Sequence, residues 1–196
     1  MKDSKTIRTF IAFPIPQAAL IQIEQVQQSV QQFRWKKVRW VPIANIHLTL
    51  SFLGDINRNQ QNDIVQAIFP IAETQAPFHL VTANLGVFPN ARRPNIIWLG
   101  LRGDTQSLVN FQQEIQSALK PLGFKLEKRP FKAHLTLGRV KGAIPENELA
   151  DMLCMEIPDC SLTCDRLVFY QSQLSPKGAR YFVLHEWQLK DGAVTT

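Results

Sequence analysis

A chain of 196 residues, 45% hydrophobic and 19% charged, is long enough to bury a large core without a disulfide or metal staple. No apolar run approaches the ~18 residues of a membrane-spanning helix, and the opening stretch is broken by Pro14 and Pro16 and has no small-residue cleavage site. The composition predicts a soluble, compact, cytoplasmic protein with no membrane attachment. The excess of 22 Lys and Arg over 16 Asp and Glu, net +6, favours an anionic partner such as RNA or nucleotide.

In chain order, residues 7–13 (IRTFIAF) read as a strand stopped by Pro14 and Pro16. Residues 17–33 follow as a helix, with Leu20, Ile23, Val30 and Phe33 near helical spacing. Arg34, Lys36, Lys37 and Arg39 make a first basic cluster, which by charge alone fits a solvated face as well as a binding one. Residues 45–53 (NIHLTLSFL) are strand-like and end at Gly54 and Asp55, and a helix around Ile64 to Phe69 breaks at Pro70. Residues 78–88 and 95–101 read as strands joined by the basic loop PNARRP.

Asp104 caps a helix running to Leu119, with Leu108, Phe111, Ile115 and Leu119 on its apolar face and Pro121 and Gly123 ending it. A second basic cluster, Lys125, Lys128, Arg129 and Lys132, precedes a strand at 131–139, with Arg139 and Lys141 at its end. Pro145 opens a short helix to about Met155. Two long strands, 162–173 and 179–189, close the chain around Ser175-Pro176-Lys177-Gly178, a type I turn sequence. Hairpins mixed with helices predict an α+β fold with largely antiparallel sheets, not a doubly wound parallel one.

Cys154, Cys160 and Cys164 are odd in number with no His among them, so they read as buried or half-buried free thiols. Neither a Gly-rich phosphate loop nor an HExxH motif is present.

One tetrapeptide stands apart: His47-Leu48-Thr49-Leu50 recurs unchanged as His134-Leu135-Thr136-Leu137, close to half a chain length later. Both copies fall in predicted strands. Alternation then sends His47 and Thr49 to one face and Leu48 and Leu50 to the other, and treats His134 and Thr136 against Leu135 and Leu137 alike. Two histidines and two hydroxyls converging from two similar half-chains suit phosphodiester cleavage. That reaction needs one group to activate the attacking oxygen and another to protonate the leaving one. Imidazole does either near neutrality, while hydroxyls and cations hold the phosphate oxygens. His79 and His185 lack the Thr partner and read as ordinary packed histidines. No carboxylate accompanies either copy, so no metal or other cofactor is expected.

The sequence resembles the two-histidine (2H) phosphoesterases, specifically the bacterial RNA 2′,3′-cyclic phosphodiesterases also called 2′-5′ RNA ligases. The resemblance runs through RTFIAFPIP at 8–16, NIHLTLSFLG at 45–54, LGVFPNARRPNIIWLGL at 85–101, FKAHLTLGR at 131–139 and SQLSPKGARYFVLHEW at 172–187. It implies one domain spanning 1–196, bilobal and made of two interleaved, pseudo-twofold related lobes with helices outside and the active cleft between them. It also implies metal-independent hydrolysis of an RNA 2′,3′-cyclic phosphate end to a 2′-phosphate. His47 would protonate the departing 3′ oxygen, His134 would activate water, and Thr49 and Thr136 would hold the non-bridging oxygens. Phe52, Arg92, Arg93 and Arg139 are helpers for base or phosphate, although strict alternation puts Arg139 on the Leu face unless the strand bulges at Gly138. Two other functions fit the same residues: an ATP-independent ligase making a 2′-5′ linkage, and an RNA- or nucleotide-binding module without turnover. A monomer is the default assembly.

Overall fold

The computed structural model describes residues 6–125, 127, 129–176 and 178–190. Its strands are β1 (Ile7–Pro14), β2 (Val38–Trp40), β3 (His47–Ile56), β4 (Phe78–Phe88), β5 (Ile96–Gly103), β6 (His134–Val140), β7 (Ser161–Cys164), β8 (Arg166–Ser175) and β9 (Gly178–Gln188). Four α-helices join them: α1 (Gln17–Gln31), α2 (Gln60–Thr74), α3 (Thr105–Leu119) and α4 (Glu146–Leu153). The strands form two sheets, in the orders β3-β1-β8-β9 and β2-β6-β5-β4-β7, and every pairing is antiparallel. The fold is α+β, as the mixture of hairpins and helices predicts. Both ends of the chain build the first sheet and the middle builds most of the second, so one repeated tetrapeptide lies in each.

Apolar alternation explains how the layers meet. Leu48 and Leu50 are 0% and 3% exposed, and Leu135 and Leu137 are 0%, so the leucine side of each repeat enters the core. Two of the helices cover those faces crosswise. α1 follows a strand of the first sheet yet bonds to the second through Gln27, while α3 follows a strand of the second sheet and packs on β3 of the first. No helix among the described residues is long and apolar enough to cross a membrane.

Several predicted boundaries move. Gly54 and Asp55 do not end β3, which pairs with β1 as far as Ile56. α1 stops at Gln31, two residues short of Phe33. Pro70 sits inside α2, which continues to Thr74. The run at 162–173 is two strands divided at Asp165, with β7 pairing β4 and β8 pairing β1 and β9. β6 starts at His134, not at 131, and β2 carries no sequence signal beyond three residues.

Two caps also differ. Pro145 stands just before α4 instead of within it. Asp104 does precede α3, but its carboxylate accepts from the His79 backbone N–H at 2.7 Å and does not cap the helix. Cys160 and Cys164 are buried free thiols, whereas Cys154 is exposed, contrary to expectation. Burial, then the Asp165 charge, pushes Cys164 up to about 12, so it stays an inert thiol. Lys128 of the second basic cluster and Lys177 of the predicted turn lie outside the described residues.

Candidate active site

His47 opens β3 and His134 opens β6, and these two strands pack against each other where the sheets meet. His47 Nδ1 lies 2.8 Å from the Asn45 carbonyl oxygen, and His134 Nδ1 lies 2.6 Å from that of Lys132. A carbonyl only accepts, so Nδ1–H is the donor in both rings and Nε2 of each remains for proton exchange. Each bond reaches back two residues, so the two repeats fix their rings in the same way. Asn45 does a second job: its side chain donates to the Ala179 carbonyl at 2.8 Å, tying the approach to β3 onto β9.

Aromatic rings hold both imidazoles. Phe10 stacks on His47 at 4.8 Å and Tyr181 meets it edge-on at 5.3 Å. Phe88 meets His134 edge-on at 5.0 Å, with Trp98 at 6.3 Å, and the Lys132 ammonium sits 4.0 Å over Trp98. Burial is accordingly the leading influence on both histidines. It pushes His47 down to about 4, opposed by the Asn45 hydrogen bond and reinforced by the charges of Arg139 and His134. His134 is lowered as well, by burial first and by Lys132 in addition, against its own backbone bond. Both rings are therefore neutral at pH 7 in the free protein.

Each strand then bulges at the residue following its Thr. In β3 the register steps from Thr49 opposite Ala12 to Ser51 opposite Ile11, leaving Leu50 extra. In β6 it steps from Thr136 opposite Trp98 to Gly138 opposite Ile97, leaving Leu137 extra. A bulge re-aims every later side chain. Phe52 thereby comes opposite Phe10, on the His47 side, 6.2 Å between ring centres and 71% exposed. Arg139 turns away from the core, which Val140 enters instead, and its charge bears on His47 and Tyr181. The bulge lies at Leu137, one residue before the position named from the sequence, and puts Arg139 on the His134 side of β6.

Two buried glutamines close the bulges. Gln112 of α3 donates to the Leu50 carbonyl at 3.3 Å. Gln27 of α1 donates to the Leu137 carbonyl at 2.9 Å and to that of Val41 at 2.8 Å. Each glutamine is 4% exposed. The sequence does carry a signal for them: Gln27 stands between Ile23 and Val30, and Gln112 between Leu108 and Ile115, both at helical spacing on an apolar face. The aromatic partners Phe10, Tyr181, Phe88 and Trp98 had no comparable signal, because strand aromatics are ordinary core residues.

Thr49 and Thr136 sit half-buried beside their histidines, and neither hydroxyl makes a hydrogen bond among the described residues. Arg92 and Arg93 lie exposed in the β4–β5 loop beyond Phe88, and no contact joins their side chains to either histidine. His79 instead faces the Thr163 hydroxyl at 3.4 Å, and His185 packs edge-on against Trp187 at 4.8 Å. Among the described residues no three His, Cys, Asp or Glu side chains cluster as a metal site requires. What the cleft offers at the histidines is two neutral imidazoles, two hydroxyls, the Arg139 guanidinium and an exposed phenyl ring, a set suited to acid–base work on an anion.

Known proteins resemble the chain in sequence and fold. Residues 12–175 match the model of the 2′-5′ RNA ligase superfamily. The chain is 31% identical to an RNA 2′,3′-cyclic phosphodiesterase of Methanocaldococcus jannaschii, over 92% of this chain and 100% of that one. It is 29% identical to one of Thermotoga maritima, over 96% and 98%. Among solved structures, E. coli LigT in its apo form superimposes with a TM-score of 0.75 at 25% identity, covering 96% of this chain and 100% of that one. TT0787 of Thermus thermophilus gives 0.79 at 24%, covering 94% and 99%, a likeness of fold.

Proposed function

The chain belongs to the 2′-5′ RNA ligase superfamily, and on that footing we propose that it hydrolyses RNA 2′,3′-cyclic phosphate ends to 2′-phosphates. The observation that carries this reading is the matched pair of imidazoles, each fixed through Nδ1 with Nε2 left to exchange a proton. His134 takes a proton from water as the water oxygen bonds to phosphorus. His47 gives its proton to the 3′ oxygen as the P–O3′ bond breaks. Thr49 and Thr136 donate to the non-bridging oxygens, and Arg139 balances their charge. Phe52 offers its exposed ring to the terminal base, and Arg92 and Arg93 extend the positive surface outward from Phe88. The partner is an RNA end in the cytoplasm. The working unit is one copy of the chain, since both repeats belong to one cleft.

The assignment makes a demand that the free protein does not meet, because burial and Arg139 keep His47 neutral. A bound phosphate meets it. The phosphate brings negative charge to both rings and neutralises Arg139, so His47 gains its proton as substrate enters.

A ribodinucleotide ending in a 2′,3′-cyclic phosphate tests the proposal. The expected product is the 2′-phosphate, identified by phosphorus NMR. His47→Ala and His134→Ala are each expected to lower kcat by ~10²–10⁴ without loss of far-UV circular dichroism. Near-normal kcat in either variant removes that residue from acid–base catalysis. A 3′-phosphate product reverses which oxygen departs.

A further inference from the structure

Arg39 lies directly opposite Arg139 in the β2–β6 pairing. Directly opposed residues of an antiparallel pair project from the same face, so Arg39 shares the cleft side with Arg139. Its neighbours confirm the direction by contrast: Val38 and Trp40 both crowd the position of Gly138 and pack on the core. The Arg39 guanidinium crosses toward the other sheet, with Nη2 3.4 Å from where a Cβ on Gly178 would stand, at the tip of the β8–β9 hairpin. It therefore spans the mouth of the cleft, one strand further out than Arg139.

The pair is electrostatically incomplete. Like charges directly opposite in a sheet destabilise it, yet neither arginine has an acidic partner among the described residues. The ion pairs that do form lie elsewhere, such as Arg102 with Asp159 and Arg166 with Glu186. Two unpaired guanidiniums side by side at the edge of a phosphate site are satisfied by anions.

We propose that Arg39 is a second phosphate position, binding the phosphodiester next to the cyclic end while Arg139 serves the reacting phosphate, so that the protein prefers oligoribonucleotides to mononucleoside cyclic phosphates. The inference rests on the cyclic-phosphate reading above and adds the length of substrate that the cleft takes.

The experiment compares kcat/KM for a ribotetranucleotide ending in a 2′,3′-cyclic phosphate with that for a mononucleoside 2′,3′-cyclic phosphate. In the wild type the ratio favours the tetranucleotide. In Arg39→Gln the ratio is expected to fall about tenfold, through KM, as loss of uniform binding does. Arg39→Lys is expected to recover part of the ratio. The dependence of log KM on log salt for the tetranucleotide is expected to become shallower by about 0.7, the loss of one phosphate contact on a single strand. An unchanged ratio in Arg39→Gln overturns the proposal, and so does an equal loss on both substrates. If the wild type turns over neither substrate, the cyclic-phosphate reading fails by itself. Arg39 is then judged by fluorescence anisotropy with a labelled ribotetranucleotide 3′-phosphate, where undiminished affinity in Arg39→Gln overturns the second position.

Discussion

Protonation of the two histidines is coupled to whatever anion enters between them. In the free protein burial lowers both, His47 to about 4, and an acid–base pair works only while one ring is charged and the other neutral. The kcat/KM profile reports the free protein and is expected to be a bell on the acid side of ~6.5, the ordinary histidine value. The kcat profile reports the complex and is expected to lie higher, because bound phosphate raises the proton affinity of both rings. The limbs belong to the pair and not to either residue. Net proton uptake on binding sulfate, a dianion that does not itself titrate near pH 7, measured by calorimetry in buffers of different ionisation enthalpy, checks the same point; proton release contradicts it. The repeat alone made His47, Thr49, His134 and Thr136 legible, since a duplicated His-x-Thr in two strands fixes their faces by alternation. Phe52 and Arg139 were legible as residue types but not as directions. Their facing depends on bulges that no strand reveals without its partner.

Those bulges are features of elements, and the buried glutamines are what holds them. A bulge frees a backbone carbonyl from the ladder; the Leu50 oxygen lies in the core, where an unmet acceptor costs about 1–3 kcal/mol, whereas the Leu137 oxygen also accepts from the Val41 N–H at 2.9 Å. Gln112 and Gln27 reach those oxygens from helices laid across the opposite sheet. Gln112→Leu is expected to lower stability by ~1–3 kcal/mol in urea titration. It is also expected to raise KM, through a displaced Phe52, more than it lowers kcat. A stability loss with unaltered KM would confine Gln112 to the core. Other elements escaped the sequence for related reasons. The run at 162–173 is continuous in hydrophobic pattern, and only pairing divides it at Asp165 between two sheets. Pro70 looked like a stop because its missing N–H is a local signal, whereas packing of Ile64, Ile68 and Ala72, each at most 1% exposed, acts over the whole of α2.

The wiring of the whole molecule sets how these parts depend on one another. β1 enters the first sheet between β3 and β8, so that sheet is complete only when the last strands of the chain have arrived. The chain meanwhile builds the second sheet and returns through β7 and β8. Phe13 of β1, Phe78 of β4 and Phe111 of α3 touch in one cluster, with ring centres 5.3 to 6.2 Å apart, so the layers share a core. Leu167, Val168 and Phe169 of β8 are all 0% exposed, and losing them leaves β1 with an open, apolar edge. The two lobes are accordingly expected to unfold as one. Urea transitions followed by far-UV circular dichroism and by tryptophan fluorescence should coincide, since Trp98 reports the second sheet and Trp187 the first. A chain ending at Cys164 keeps the second sheet intact in sequence, yet is expected to be unfolded or aggregated, because the first sheet loses half of its four strands. Two separate transitions, or a folded product from the shortened chain, would mean that each lobe stands alone. The cleft would then be a docked interface instead of the seam of a single interleaved core.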